Sequence, residues 1–213
     1  MTDTQRARSA RRGELLEAAY QYALVQGLAD LSLRPLAAAI GSSPRVLLFL
    51  FGSKDGLVRE LLAKAREDEL ALLKTMPGPG VAGGVATGGF ASPADGFALA
   101  ADGFISAVRV TWRWLAHPAH RPLLTLWCEA YARSLVEPGG AWADFARQTV
   151  DDWLAVLADA QAPARRGTPA GQAERTLALA VLRGALLDLL ATNDVDRTTA
   201  AVERHLAMIR QAV

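Results

Sequence analysis

Beyond residue 93 the apolar positions recur at intervals of three and four, the period of an α-helix, and nothing in that half reads as a strand. Phe97, Ala101, Phe104, Ile105, Val108, Trp112 and Leu115 form one stripe, which His117-Pro118 ends. Leu123, Leu124, Trp127, Cys128, Tyr131 and Leu135 form the next. Pro138-Gly139-Gly140 breaks the chain, and Trp142, Phe145, Val150, Trp153, Leu154 and Leu157 form a third. After a break over residues 161–171 the pattern predicts two last helices, about 173–191 and 197–212. Leu177 to Leu190 is apolar on nearly every side, interrupted only by Arg183 and Asp188, so it needs cover all round. The small residues Ala178, Ala180, Gly184 and Ala185 admit a neighbouring helix closely, and Leu206 and Ile209 continue an apolar face on the last helix. A two-fold interface of four helices fits both features, which predicts a homodimer through the last two helices.

The N-terminal part is punctuated more tightly. From Leu31 to Leu57 the chain spells two short helices joined by a turn and then the start of a third. Ser32 is a candidate N-cap, Pro35 is tolerated in a first turn, and Leu36, Ala37 and Ile40 share one face. Gly41 supplies the left-handed conformation that ends such a helix. Ser42 and Ser43 offer a second cap, Pro44 suits the first helical position, and Arg45 to Phe51 make about two turns before Gly52. Ser53 caps the third helix, with Asp55 favoured near its positive end.

From about Arg11 to Leu62 the residues resemble the DNA-binding domain of the TetR family of transcriptional regulators. Arg12, Leu15, Leu16, Ala18, Ala19 and Gly27 are similar to its first helix, and Ser32-Leu33-Arg34 with Leu36-Ala37 to the opening of its second. Gly41, Ser43, Leu47, Phe51, Ser53-Lys54-Asp55 and Leu57 continue the pattern. Leu48 and Leu50 depart from it, because the family usually places an aromatic and a histidine or similar polar residue there; leucine cannot donate to a phosphate. The resemblance implies an all-α fold, with an N-terminal three-helix helix-turn-helix domain joined to a C-terminal helical bundle for ligand binding and dimerisation.

On this reading the candidate DNA contacts are Arg12, Ser32, Arg34, Ser43, Pro44, Arg45, Leu48, Phe49 and Lys54. Arg45 is the only long donor in the recognition helix and suits either guanine or a phosphate, while Leu48 and Phe49 suit thymine methyls or packing against neighbouring helices. Lys54 and Arg34 open their helices, where backbone amides also favour anions. Arg6, Arg8, Arg11 and Arg12 make a basic N-terminal arm suited to a minor groove or the backbone.

Charge is distributed to match. The net charge is +1, but residues 1–57 carry seven Lys or Arg against five Asp or Glu, leaving 16 against 17 in the remainder. That excludes a general polycation and fits a modest DNA reader on a neutral body. Between Met76 and Pro93 the chain is rich in Gly and Pro and has no charge, which predicts a flexible loop. Its Gly78, Gly80 and Gly83 match a dinucleotide-binding spacing, but that fingerprint follows a strand and opens a helix, and this one does neither. The domains expected are therefore residues 1–57 for the arm and helix-turn-helix, 58–75 for a connecting helix, 76–93 for the loop, and 94–213 for ligand binding and dimerisation.

All five tryptophans lie in the C-terminal half, on helices expected to face one another. Aromatic walls with few polar groups make either a core or a small-molecule pocket, and the family resemblance implies an effector cavity there. Phe104, Val108, Trp112, Trp127, Cys128, Tyr131, Phe145, Trp153 and Arg183 are its candidate lining, with Glu129 and Arg109 as further polar groups. No nucleophile elbow, zinc-protease helix, phosphate loop or cysteine pair occurs, and the prolines beside His117 and His120 disrupt a metal-binding spacing. No catalytic residue, metal or cofactor is expected. The lone Cys128 reads as a core residue, and no window is apolar enough for a membrane span or signal peptide, which predicts a cytoplasmic protein.

The sequence thus predicts a dimeric regulator, a repressor released from a palindromic operator by a small, largely apolar ligand. Two rivals stand beside it: a dimeric ligand-binding or interaction protein that has lost specific DNA binding, and a helical-bundle enzyme.

Overall fold

The computed structural model describes residues 3–28, 30–75, 93–137 and 139–211. Among them are ten α-helices and no strand: α1 (Asp3–Gln26), α2 (Leu33–Ala39), α3 (Pro44–Phe51), α4 (Lys54–Thr75), α5 (Pro93–Leu115), α6 (Arg121–Val136), α7 (Phe145–Asp159), α8 (Pro163–Arg166), α9 (Pro169–Thr192) and α10 (Val195–Gln211). No single helix among the described residues is long and apolar enough to cross a membrane. The expected flexible loop, with its glycine motif, lies outside the described residues except for Pro93.

Two compact units result, one from Met1–Glu69 with Pro122–Thr149, the other from Leu70–Arg121 with Val150–Val213. In the first, Leu15 and Ala19 of α1, Leu36 of α2, Leu47 and Phe51 of α3, and Leu57 and Leu61 of α4 are buried. In the second, α10 packs on α9 and α5. Its core includes Val108 and Trp112 from α5, Leu179, Leu182 and Leu186 from α9, and Val202 and Leu206 from α10. Two bidentate arginines fasten its helices. Arg109 grips Glu203 at 2.7 and 2.8 Å, joining α5 to α10, and Arg197 grips Asp188 at 2.6 and 2.7 Å across the α9–α10 turn. Asn193, at φ 58°, closes α9 in that turn.

Several helix bounds differ from expectation. α9 begins at Pro169, because the Thr168 side chain caps it and proline suits its first turn. The expected break contains the short α8, and Trp142 lies in a 3-10 turn ahead of α7. Ala178 and Leu206 face their own unit's core, so they leave the proposed intersubunit face. Exposed on α9 instead are Leu177, Ala180, Gly184, Leu187 and Ala191, a seam with spacings of three and four.

His205 of α10 is buried, and burial lowers its pKa. A histidine held neutral in the fold but free to protonate when unfolded gives the unfolded state more protons at low pH. Stability therefore falls as pH drops below about 6.5, the ordinary value, towards the lowered one. Melting curves between pH 8 and pH 5 should show this slope flattened in His205→Leu; an unchanged slope would assign the titration to other groups.

Candidate functional site

The helix-turn-helix is assembled by local chemistry. Gly41, at φ 62°, reverses the chain after α2; the Ser42 amide donates to the Ala37 carbonyl at 2.8 Å and the Gly41 amide to Ala38 at 3.4 Å. This crossed pair satisfies carbonyls that a helix end leaves open. The Ser43 hydroxyl accepts from the Val46 amide at 3.3 Å and starts α3, Gly52 at φ 78° ends it, and the Ser53 hydroxyl accepts from the Gly56 amide at 2.9 Å to start α4. Ser32 stands at the α2 N-cap in extended conformation, but its side chain makes no capping bond, contrary to expectation. The chain bends by 102° between α2 and α3, within the range of helix-turn-helix units.

Burial of Leu47 and Phe51 fixes which side of α3 faces out. Residues three and four apart share a face, so Arg45, Leu48 and Phe49 lie together, and with Val46 they form the exposed side of α3 away from the buried pair. Leu48 is 42% and Phe49 67% exposed, large values for such side chains. Arg34, Arg45 and Lys54, at or near the starts of α2, α3 and α4, are exposed and have no ion-pair partner among the described residues.

The N-terminal arginines are helical, in the first turns of α1. Arg8 places its guanidinium 4.6 Å from the centre of the Phe49 ring, a cation–π contact. Arg12 is engaged inside the unit: it pairs with Glu60, donates to the Leu50 carbonyl at 3.4 Å, and lies over Phe51. In this arrangement Arg12 holds α1 to α3 and α4 rather than presenting a free charge. Ser43 and Pro44 are half-buried in the cap, with the Ser43 hydroxyl already occupied.

The effector candidates divide between the two units. In the first, Trp127 and Tyr131 of α6 stack with ring centres 5.0 Å apart, and Phe145 is buried. Cys128 is half-buried; burial and then the charge of buried Glu69 push its thiol up to about 11, so it is a thiol at neutral pH. Phe145 lines a cavity of about 190 Å³ with Leu62, Arg59, Arg66 and Gln148, smaller than a typical ligand site and shared with none of the other candidates. In the second unit Phe104, Val108 and Trp112 repeat along one face of α5, and Trp153 is buried. The Trp112 indole N–H donates to the Thr199 hydroxyl at 2.9 Å, which makes it a core tie between α5 and α10. Arg183 is half-buried on α9. Arg109, read as a polar group for a ligand, is committed to Glu203.

Glu129 has a role that its sequence position does not reveal. Its carboxylate accepts from the Leu28 amide at 2.8 Å, where the chain leaves α1, so one turn of α6 carries both this tie and the Trp127–Tyr131 stack. No local pattern signals such a contact, because its partner is a backbone amide far away in sequence. His117 and His120 serve the turn after α5: His120 stacks on Trp114 at 4.3 Å, and the His117 ring accepts from the Ala119 amide at 3.2 Å.

A bent helix pair with buried inner faces and a free, cation-flanked outer helix, followed by a helical body, defines the helix-turn-helix regulator class of fold. The chain has the fold of the TetR-family transcriptional regulators. It is similar to a transcriptional regulator from Rhodococcus sp. Rha1, with a TM-score of 0.68 at 20% identity over 94% of this chain and 96% of that one. A TetR-family regulator from Rhodococcus sp. is similar with a TM-score of 0.64 at 19% identity, covering 95% and 99%. The multidrug binding protein EbrR, solved with ethidium, gives 0.61 at 23% identity, covering 91% and 96%. No protein-family model matches the sequence, and no curated protein matches it.

Proposed function

We propose that the chain is a TetR-family transcriptional regulator, a repressor that dimerises on a palindromic operator and leaves it when a small, largely apolar ligand binds. The observation that carries this reading is the outer face of α3, exposed and flanked by Arg34, Arg45 and Lys54, which have no ion-pair partner among the described residues. Phosphates are bound by such cations and by helix N-termini, and base edges by the helix between them. Residues 1–57 read DNA, 58–75 connect, and 94–213 bind ligand and dimerise. The exposed seam on α9 is covered by its copy in a second subunit, since Leu177 and Leu187 are each 55% exposed. EbrR, with the same fold, has been solved with ethidium, which supports an aromatic-walled site for a small molecule. Each unit offers its own candidates for such a site, Trp127, Cys128, Tyr131 and Phe145 in the first and Phe104, Val108, Trp153 and Arg183 in the second. Ligand contact on α6 reaches the DNA-reading helices through Glu129 and the α1 terminus, so release follows from a changed spacing of the two α3 helices. The protein acts in the cytoplasm and has no catalytic role.

The test is salt-dependent binding of the full chain to the DNA upstream of its own gene, compared with random duplex. Specific affinity should exceed random affinity at every salt concentration, and Arg45→Ala should weaken specific binding by about 1–3 kcal/mol. Equal affinity for both duplexes, with no effect of Arg45→Ala, would leave a dimeric ligand-binding protein as the reading.

A further inference from the structure

We infer that α3 reads its operator through pyrimidine 5-methyl groups, with Leu48 and Phe49 seated on thymines either side of a base contacted by Arg45; this rests on the DNA-binding reading above. Four side chains of α3, Arg45, Val46, Leu48 and Phe49, are exposed, and three of them have no hydrogen-bonding atom. A major groove offers donors and acceptors to polar side chains, whereas the one apolar group on its base edges is the thymine methyl. A face with three apolar side chains and one arginine therefore best matches base pairs that carry that methyl.

The geometry also says why the occupant is DNA rather than an apolar protein. Phe49 is bordered by Arg8, 4.6 Å from its ring, and by Arg45, one helical turn before it. Arg34 and Lys54 flank the same unit without ion-pair partners among the described residues. A purely apolar partner would leave these charges facing low dielectric, at a cost that phosphates remove. Arg8 restricts the ring it stacks on, so Phe49 is presented with less rotamer freedom to lose on binding.

The experiment selects bound duplexes from a random pool with the full-length protein, then remakes the selected consensus with deoxyuridine replacing thymine, which removes only the methyl. Thymine should recur at fixed half-site positions, and the deoxyuridine duplex should bind about tenfold more weakly or worse. Phe49→Ala, a change at an exposed position, should lose part of the difference between the two duplexes, and Leu48→Ala combined with Phe49→Ala should bind both alike. A selected consensus bound equally with thymine and deoxyuridine would overturn the methyl readout while keeping the regulator. Failure to select any consensus would overturn the DNA-binding reading itself, and the methyl readout with it.

Discussion

Trp112→Ala should lower the stability of the protein by about 3–5 kcal/mol, the usual range for removing a buried tryptophan. Trp112 is 1% exposed in the core of the second unit. Its loss opens a cavity where α5 meets α10, and leaves the Thr199 hydroxyl without the indole donor now 2.9 Å away. The surrounding helices, packed on one another, close only part of that space. Denaturant unfolding at fixed protein concentration reads the change as a lower midpoint with the same slope. Trp112→Phe keeps most of the ring volume and loses the N–H, so it should fall between wild type and alanine. An alanine variant within about 1 kcal/mol of wild type would mean that this indole faces an open cavity, as a ligand-lining residue would.

That alternative marks the limit of what the sequence revealed about the site. Helical periodicity puts Trp112, Val108 and Phe104 on one face, but the same spacing describes a core and a pocket wall alike, and only the Thr199 contact tells them apart. The turn elements were legible because their causes are local: Gly41, Ser43, Pro44, Gly52 and Ser53 act on neighbours within four residues. Ser32 fits the same cap pattern and makes no capping bond, so residue type sets only a tendency. Arg12 and Glu129 are not legible for the opposite reason, since their partners are distant in sequence. Arg12 looks like an arm residue in a basic stretch, yet Glu60 and the Leu50 carbonyl lie on other helices. Glu129 meets an amide 101 residues away. Grouping by contact likewise takes residues 122–149 with the N-terminal helices, which no composition boundary announces.

Gly56→Ala should abolish tight DNA binding and destabilise the first unit by about 1–3 kcal/mol, the scale of an overpacked core. Gly56 lies in the first turn of α4, and its backbone has an ordinary negative φ, so alanine is not excluded by conformation. The obstacle is space: a methyl group there would overlap the carbonyl oxygen of Phe51, the last residue of α3. A backbone oxygen cannot swing aside as a side-chain end can, so α4 must move off the end of α3. Ser53, whose hydroxyl caps α4 through the Gly56 amide, moves with it, and α3 loses the support that turns Arg45 and Phe49 outward. Gly13 supplies the control, since nothing lies within 4 Å of a methyl at that helical position. Gly13→Ala removes a flexible residue from the middle of α1 and should raise stability by about 0.5–1 kcal/mol, with DNA affinity unchanged. The two substitutions are chemically identical and both occur in helices, so opposite signs can come only from the contact at Phe51. Equal behaviour of the two variants would mean that α3 and α4 are not locked together, and that the pose of the reading helix is fixed elsewhere.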